Sequence, residues 1–299
     1  MPTNVRKLLV LILISLWLVY GCTSQTDSYP LLRESLDPDF KAKLESSLRA
    51  EFKGTRRHLV DSGKVSIVIV DISDLHHPRV AEENGDQMLY AASLPKIAIL
   101  LGAYVEVENG NLVIDDELRA SMTRMIRNSS NADATAVLRR IGIARLAEIL
   151  QSEQYRFYDP EYGGGLWVGR EYGGALWQVD PINEISHGAS AMQVARFYYL
   201  LITNRLVSPQ HTAEMLEILS KPAIKHKFVK GLAAVSPDAK IYRKSGTWRN
   251  YHADSGIIET KSSKYIVVVI GEHQEGPDDL VRLIQVVEAS MKSGADVSQ

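Results

Sequence analysis

The chain has 299 residues, 45% of them hydrophobic and 23% charged, with a formal net charge of −2. That length can bury a full core in one large or two modest domains, and the lack of a long basic run argues against nucleic acid as a partner. Neither a Walker-type loop nor a dinucleotide-binding glycine triad occurs, and the eight His show no HExxH-like spacing, so no cofactor and no metal are expected.

The N-terminus reads as an export signal. Arg6 and Lys7 precede an apolar run from Leu8 to Tyr20, followed by Gly21 and Cys22. As a helix that run spans about 20 Å, short of the roughly 30 Å needed to cross a bilayer. A positive start, a short apolar core and a small residue at the junction make residues 1–21 a secretory signal. Cys22 is the one cysteine, so no internal disulfide can form. Leu18-Val19-Tyr20-Gly21-Cys22 resembles the lipobox of bacterial lipoproteins, with Tyr20 bulkier than the usual small residue. The resemblance implies lipidation at Cys22, a polar tether over 22–37 and a membrane-anchored protein on the periplasmic side of the envelope. Thr23 after Cys22 leans toward the outer membrane.

In FKAKLESSLRAEF, Phe40, Leu44, Leu48 and Phe52 recur at helical spacing, so an amphipathic helix is expected from Asp39 to about Lys53. A β-rich strand follows at 64–73, with a weaker one around 78–84. From Ile97 to Val105 almost nothing is polar, which predicts a helix buried on every side and stopped at Asn109-Gly110. Asp115-Asp116-Glu117 open another helix, their charges matching its dipole, and Asn128 to Asn131 interrupt it at a turn. Residues 153–187 lose periodicity and contain a quasi-repeat, Glu161-Tyr-Gly-Gly-Gly-Leu-Trp167 and Glu171-Tyr-Gly-Gly-Ala-Leu-Trp177, read as paired short strands or a Gly-hinged surface loop; a long irregular loop of this kind is often functional. Helices are expected from Ser190 to about Asn204 and from Ser208-Pro209 through Leu219. Strands at 239–248, 252–260 and 264–272 and a closing helix from Pro277 to Met291 complete the chain. The order predicts an α+β fold, with one antiparallel sheet built from both ends of the chain and an all-helical lobe inserted between. The domain is expected over 38–295, its α/β lobe at about 38–92 and 205–295 and its helical lobe at about 93–204.

Chemistry concentrates in three short motifs. Ser93-Leu94-Pro95-Lys96 lies at the start of the buried helix, where residues three apart share a face and the hydroxyl can meet the amine. A serine beside a lysine is one way to build an activated nucleophile. Ser129-Ser130-Asn131 lies on the turn between helices, and Lys244-Ser245-Gly246 in a strand near the C-terminus.

Together, in this order, the motifs resemble the S-x-x-K, S-D-N and K-T-G signature of the penicillin-recognising serine hydrolases, the class A β-lactamases and DD-peptidases. The resemblance covers about residues 38–292 and implies the following roles. Ser93 is the acylated nucleophile and Lys96 its base or part of its proton relay, with burial and Lys244 depressing its affinity for the proton. Ser129 passes the proton to the leaving group, Asn131 holds the substrate amide, and Lys244 attracts a substrate carboxylate. Ser245 and Gly246 border the substrate, and the N–H groups of Ser93 and Thr247 form the oxyanion hole. Two features depart from the signature: Ser130 replaces its Asp, and the E-x-x-L-N pattern that supplies a deacylation base is missing. Glu161 and Glu171 are the candidates for that base. Arg249 is a candidate for a second carboxylate contact, because a guanidinium binds carboxylates bidentately.

The expected activity is therefore that of a lipid-anchored serine hydrolase acting through an acyl-enzyme on a β-lactam or a related amide or ester, small or peptidoglycan-derived. DD-peptidase and esterase activity are the alternatives within that class, and a non-catalytic peptidoglycan-binding lipoprotein is the alternative outside it.

Overall fold

Every second residue of the strand at Val65–Asp71 faces the same way, and both of its faces are apolar. Such a strand is stable only with packed layers on both sides, and that requirement organises the molecule. The computed structural model describes residues 29–295; the expected signal segment 1–21 and the expected lipidation site Cys22 lie outside the described residues.

In chain order the elements are α1 (Pro38–Glu51), α2 (Thr55–Asp61), β1 (Val65–Asp71), β2 (Arg79–Glu83), β3 (Leu89–Tyr90) and α3 (Lys96–Glu108). Three more helices follow, α4 (Asp116–Arg127), α5 (Asn131–Ile141) and α6 (Ile143–Gln151). The loop region holds β4 (Tyr158–Asp159), β5 (Gly164–Gly165), β6 (Trp167–Val168) and β7 (His187–Ala189). Then come α7 (Ala191–Ile202), α8 (Pro209–Leu219), α9 (Phe228–Val235), β8 (Lys240–Trp248), β9 (Tyr251–Glu259), β10 (Lys264–Glu272) and α10 (Gly276–Ala295).

The main sheet is antiparallel in the order β2-β1-β10-β9-β8, so strands from the two ends of the chain pair at its centre, Val68 opposite Val268. This is the expected α+β fold. Ile67, Ile69, Tyr265, Val267 and Val269 pack under α1, α9 and α10, while Val68, Val70, Ile266, Val268 and Ile270 join a second core with α3, α7 and the helical lobe. α7 lies against β1 and β10, and α8 against α4 and β8, so the chain crosses between lobes more than once. Among the described residues, no helix is long and apolar enough to cross a membrane.

Three local expectations need correction. Residues 29–37 are not a free tether: Leu32 is 2% exposed, and the backbone at Ser35 and Asp37 bonds to both sides of Val80, at 2.8 and 2.9 Å. α9 was not expected, because Gly231 reads as a helix breaker; it is there for close approach, since a Cβ would sit 2.3 Å from Cγ2 of Ile284 on α10. The 153–187 stretch is pinned rather than loose. Buried Asp180 accepts hydrogen bonds from the Tyr158 hydroxyl (3.0 Å) and the N–H groups of Asn183 (2.9 Å) and Ile185 (2.7 Å). Its two quasi-repeats differ in environment: Trp167 is buried, whereas Trp177 is exposed and stacks on it at 6.1 Å.

Candidate active site

The turn 91–95 feeds α3. Ala92 has φ +52°, a left-handed conformation unusual for a residue with a Cβ, and Ser93 follows, half-buried at the cleft. Lys96 opens α3 and is fully buried. Its Nζ lies 3.1 Å from Ser93 Oγ, 2.6 Å from the Ser129 carbonyl oxygen and 2.7 Å from Asn131 Oδ1. The ring of Tyr172 closes the remaining side, its centroid 4.4 Å from Nζ. Burial pulls the Lys96 amine from 10.5 down to about 7.

The second motif bridges α4 and α5. Ser130 caps α5, its hydroxyl accepting from the Asp133 N–H at 3.2 Å. An aspartate there would do the same work, so the departure from S-D-N leaves the turn intact. Ser129, at φ +57°, turns its carbonyl to Lys96 and its hydroxyl to Lys244 Nζ, 2.9 Å away. Asn131 is the exposed first residue of α5.

The third motif lies on β8, an edge strand. Lys244 is buried between Ser129 Oγ and the Ser245 carbonyl (2.7 Å), and burial together with nearby Lys96 holds its amine well below the usual lysine value. Gly246 is needed for contact: a Cβ would sit 2.1 Å from the Ala91 carbonyl oxygen and 3.0 Å from the Leu94 nitrogen. β8 therefore runs against the catalytic turn. Trp248 and Tyr251 close a two-residue hairpin with β9, and Thr247 pairs with His252. Hydrogen-bonded and non-bonded pairs alternate in such a ladder, so the Thr247 N–H points away from β9, toward the turn that carries Ser93. Beneath the strand, buried Lys227 donates to the Gly246 carbonyl (2.6 Å), Thr247 Oγ1 (2.8 Å) and the Ala253 carbonyl (3.1 Å). Burial lowers its amine to about 8. Arg243 forms a buried double hydrogen bond with Asp254, 2.7 Å at each oxygen.

Ser93, Lys96, Ser129, Asn131, Lys244, Ser245, Gly246 and Thr247 thus come together at one cleft. Glu161, Glu171 and Arg249 have other partners. Glu161 pairs with Arg156 at 2.7 Å and is 74% exposed at its side chain. Glu171 accepts two bonds from Arg139 (2.6 and 2.7 Å), and this guanidinium holds its carboxyl below the usual range. Each lies near an arginine that neutralises it at the surface, a partnership the sequence spacing did not reveal. Arg249 sits on the exposed hairpin turn at φ +50°, over the Trp248 ring at 5.6 Å. Cys22 lies outside the described residues.

Residues 117–288 match the model of the beta-lactamase enzyme family. The chain belongs to that family. Among solved structures it is similar to PBP-A, at 13% identity and a TM-score of 0.65, over 89% of this chain and 100% of that one. It is also similar to a β-lactamase from Sphaerobacter thermophilus DSM 20745, at 16% identity and TM-score 0.65, over 86% and 97% of the two chains. A class A β-lactamase from Bacteroides cellulosilyticus DSM 14838 is similar at 14% identity and TM-score 0.64, over 85% and 99%. At these identities the likeness shows the shared fold. No curated protein matches the chain in sequence.

The family match begins after α3, so within this β-lactamase-family chain it includes Ser129, Asn131 and Lys244 but not Ser93 or Lys96. Those two meet at the turn into α3, 3.1 Å apart. Sequence reasoning also missed Tyr172 and Lys227. Tyr172 was masked by its neighbour Glu171, which has the expected chemistry but the wrong direction. Lys227 follows His226 at the start of an unexpected helix and carried no motif.

Proposed function

We propose that the protein is a serine hydrolase that β-lactams and related acyl substrates acylate at Ser93, with slow release of the acyl group. The observation that carries this reading is the set of partners around Lys96 Nζ. A backbone carbonyl and the Asn131 Oδ1 can only accept hydrogen bonds. In the neutral amine both N–H groups are therefore committed to them, which turns the lone pair toward Ser93 Oγ. With its amine lowered to about 7, a large fraction of Lys96 is neutral near pH 7.

In the reaction, Ser93 Oγ gives its proton to Lys96 Nζ and bonds to the substrate carbonyl carbon. The resulting oxyanion lies between the N–H groups of Ser93 and Thr247, donors worth roughly 3–4 kcal/mol each in the transition state. As the C–N bond breaks, the leaving nitrogen takes the Ser129 hydroxyl proton. That hydroxyl accepts from Lys244 Nζ, so its own hydrogen is free to point into the cleft, and Lys244 is placed to replace it. Lys244 also offers positive charge to a substrate carboxylate. Glu161 and Glu171 are paired with Arg156 and Arg139 rather than with Ser93 or Lys96, which speaks against either as the base that activates water and favours slow deacylation. We further propose export and lipid anchoring through Cys22; incorporation of labelled palmitate, lost in Cys22→Ser, tests it.

Mixing the protein with a chromogenic cephalosporin, and following colour and intact mass together, tests the enzyme reading. The expected result is one burst of colour and a stable adduct that Ser93→Ala abolishes. Glu161→Gln and Glu171→Gln should leave the acylation rate within about threefold. No adduct, and no hydrolysis of small esters, would refute the reading.

A further inference from the structure

The Tyr172 side chain is fastened at several points, all close to the reacting groups. Its hydroxyl donates to the carbonyl of Ala92, the residue before the nucleophile, at 3.1 Å. Its own carbonyl accepts from the Thr135 hydroxyl on α5 at 3.1 Å, and its neighbour Glu171 is doubly bonded to Arg139 on the same helix. Its ring packs on the His187 ring, with centroids 4.2 Å apart. Held in this way, the ring faces Lys96 Nζ at 4.4 Å.

The three directions left around Nζ beside its Cε bond lead to Ser93 Oγ, the Ser129 carbonyl and Asn131 Oδ1, and the ring packs over the amine between them. Ser93 itself is half-exposed, and Asn131 and Thr247 are exposed. The cleft is thus open to solvent, yet Lys96 is fully buried. The titratable groups facing Lys96 are Lys244 from β8, His187 from β7 and the Tyr172 phenol; the first two add positive charge when protonated.

Once Lys96 has released to solvent the proton it took from Ser93, and Lys244 has regained the one it passed through Ser129, hydrolysis of the acyl group needs a water whose oxygen bonds to the ester carbon while one of its protons passes to the neutral Lys96 amine. The ester C–O bond then breaks, and Ser93 Oγ takes that proton back. Such a water must lie within hydrogen-bond reach of both Nζ and the ester carbon, and the aromatic ring packed against Nζ narrows the space left for it.

We propose that Tyr172 is a positioning residue that keeps solvent off the Lys96 amine and off the ester at Ser93, and so sets the lifetime of the acyl-enzyme. The second half of this statement rests on the acylation reading above. The first half does not.

Two measurements on the Tyr172→Ala and Tyr172→Phe proteins test it. One is an NMR pH titration of the labelled Lys96 side chain, its signal assigned by loss in Lys96→Met. The other is the half-life of the penicillin G adduct by intact mass. In Tyr172→Ala, the Lys96 midpoint should rise by about one pH unit or more as water reaches it, and the adduct should decay at least about tenfold faster. Tyr172→Phe keeps the ring and should leave the midpoint in place and the half-life within about twofold. Should Tyr172→Ala fail to fold, Tyr172→Gln, with a polar side chain of similar length, is read by the same criteria. An unchanged midpoint overturns the shielding, and an unchanged half-life overturns the control of turnover. Absence of any adduct in the parent protein refutes the acylation reading and with it the lifetime half; the titration still decides the shielding.

Discussion

Lys96 gives up the solvation of its charge when the chain folds, and this has two measurable consequences. Because its amine falls to about 7, the neutral form that can accept the Ser93 proton grows with pH. The rate of adduct formation should therefore climb as pH rises through about 7 and level off above it; a flat profile from pH 5.5 to 9 would contradict a lysine base. The same group affects stability. Between about 7 and 10.5 the unfolded chain holds a proton that the folded one has lost, so stability rises with pH across that window. The cost of burial is full below 7 and vanishes above 10.5. Lys96→Met should be the more stable protein at pH 6, by on the order of 4–5 kcal/mol before its lost hydrogen bonds are counted. Urea unfolding at several pH values should show this gap closing toward pH 10. Ser93 and Lys96 were legible in the sequence because their contact is local, one helical turn apart. Tyr172 was not, because its approach to Lys96 depends on a loop anchored by Asp180 and by α5.

At the scale of elements, what matters is how closely β8 is allowed to approach the catalytic turn. Gly246 sets that distance, since an added Cβ would meet the backbone at Ala91 and Leu94 rather than a movable side chain. Gly246→Ala should therefore cut the rate of adduct formation at least about 100-fold, while lowering stability by only about 1–3 kcal/mol. Adduct kinetics and urea midpoints on one protein separate the two effects. The strands and most helices were readable from period and caps: Asp115 and Ser208 cap α4 and α8 as their positions suggest. α9 was hidden because its glycine, a breaker by propensity, is selected by contact with α10. Short paired strands were one of two readings of the Gly-rich stretch, but the bounds of β4 to β7 were hidden because two- and three-residue pieces have no period to detect.

Across the whole molecule, the site is assembled from distant parts of the chain. Strands β8, β9 and β10 form a local meander that β1 joins from the other end of the chain, and across the cleft Lys244 on β8 meets Ser129 between α4 and α5. The sequence order of strands, helices and strands made that closure foreseeable, but it gave no sign that residues 29–37 belong to the body. Leu32 tests this directly: Leu32→Ala should cost about 2–5 kcal/mol, as for a core leucine, whereas a tether residue would show no change in thermal unfolding. These N-terminal residues also bear on solubility. An antiparallel sheet ends in two strands with unpaired backbone groups, and such edges invite pairing with other molecules. Here Ser35 and Asp37 occupy the edge at β2, while the other edge, β8, turns its Thr247 N–H to the cleft. The segment before α1 therefore also shields the sheet, and a change that loosens it would open an aggregation-prone edge at β2.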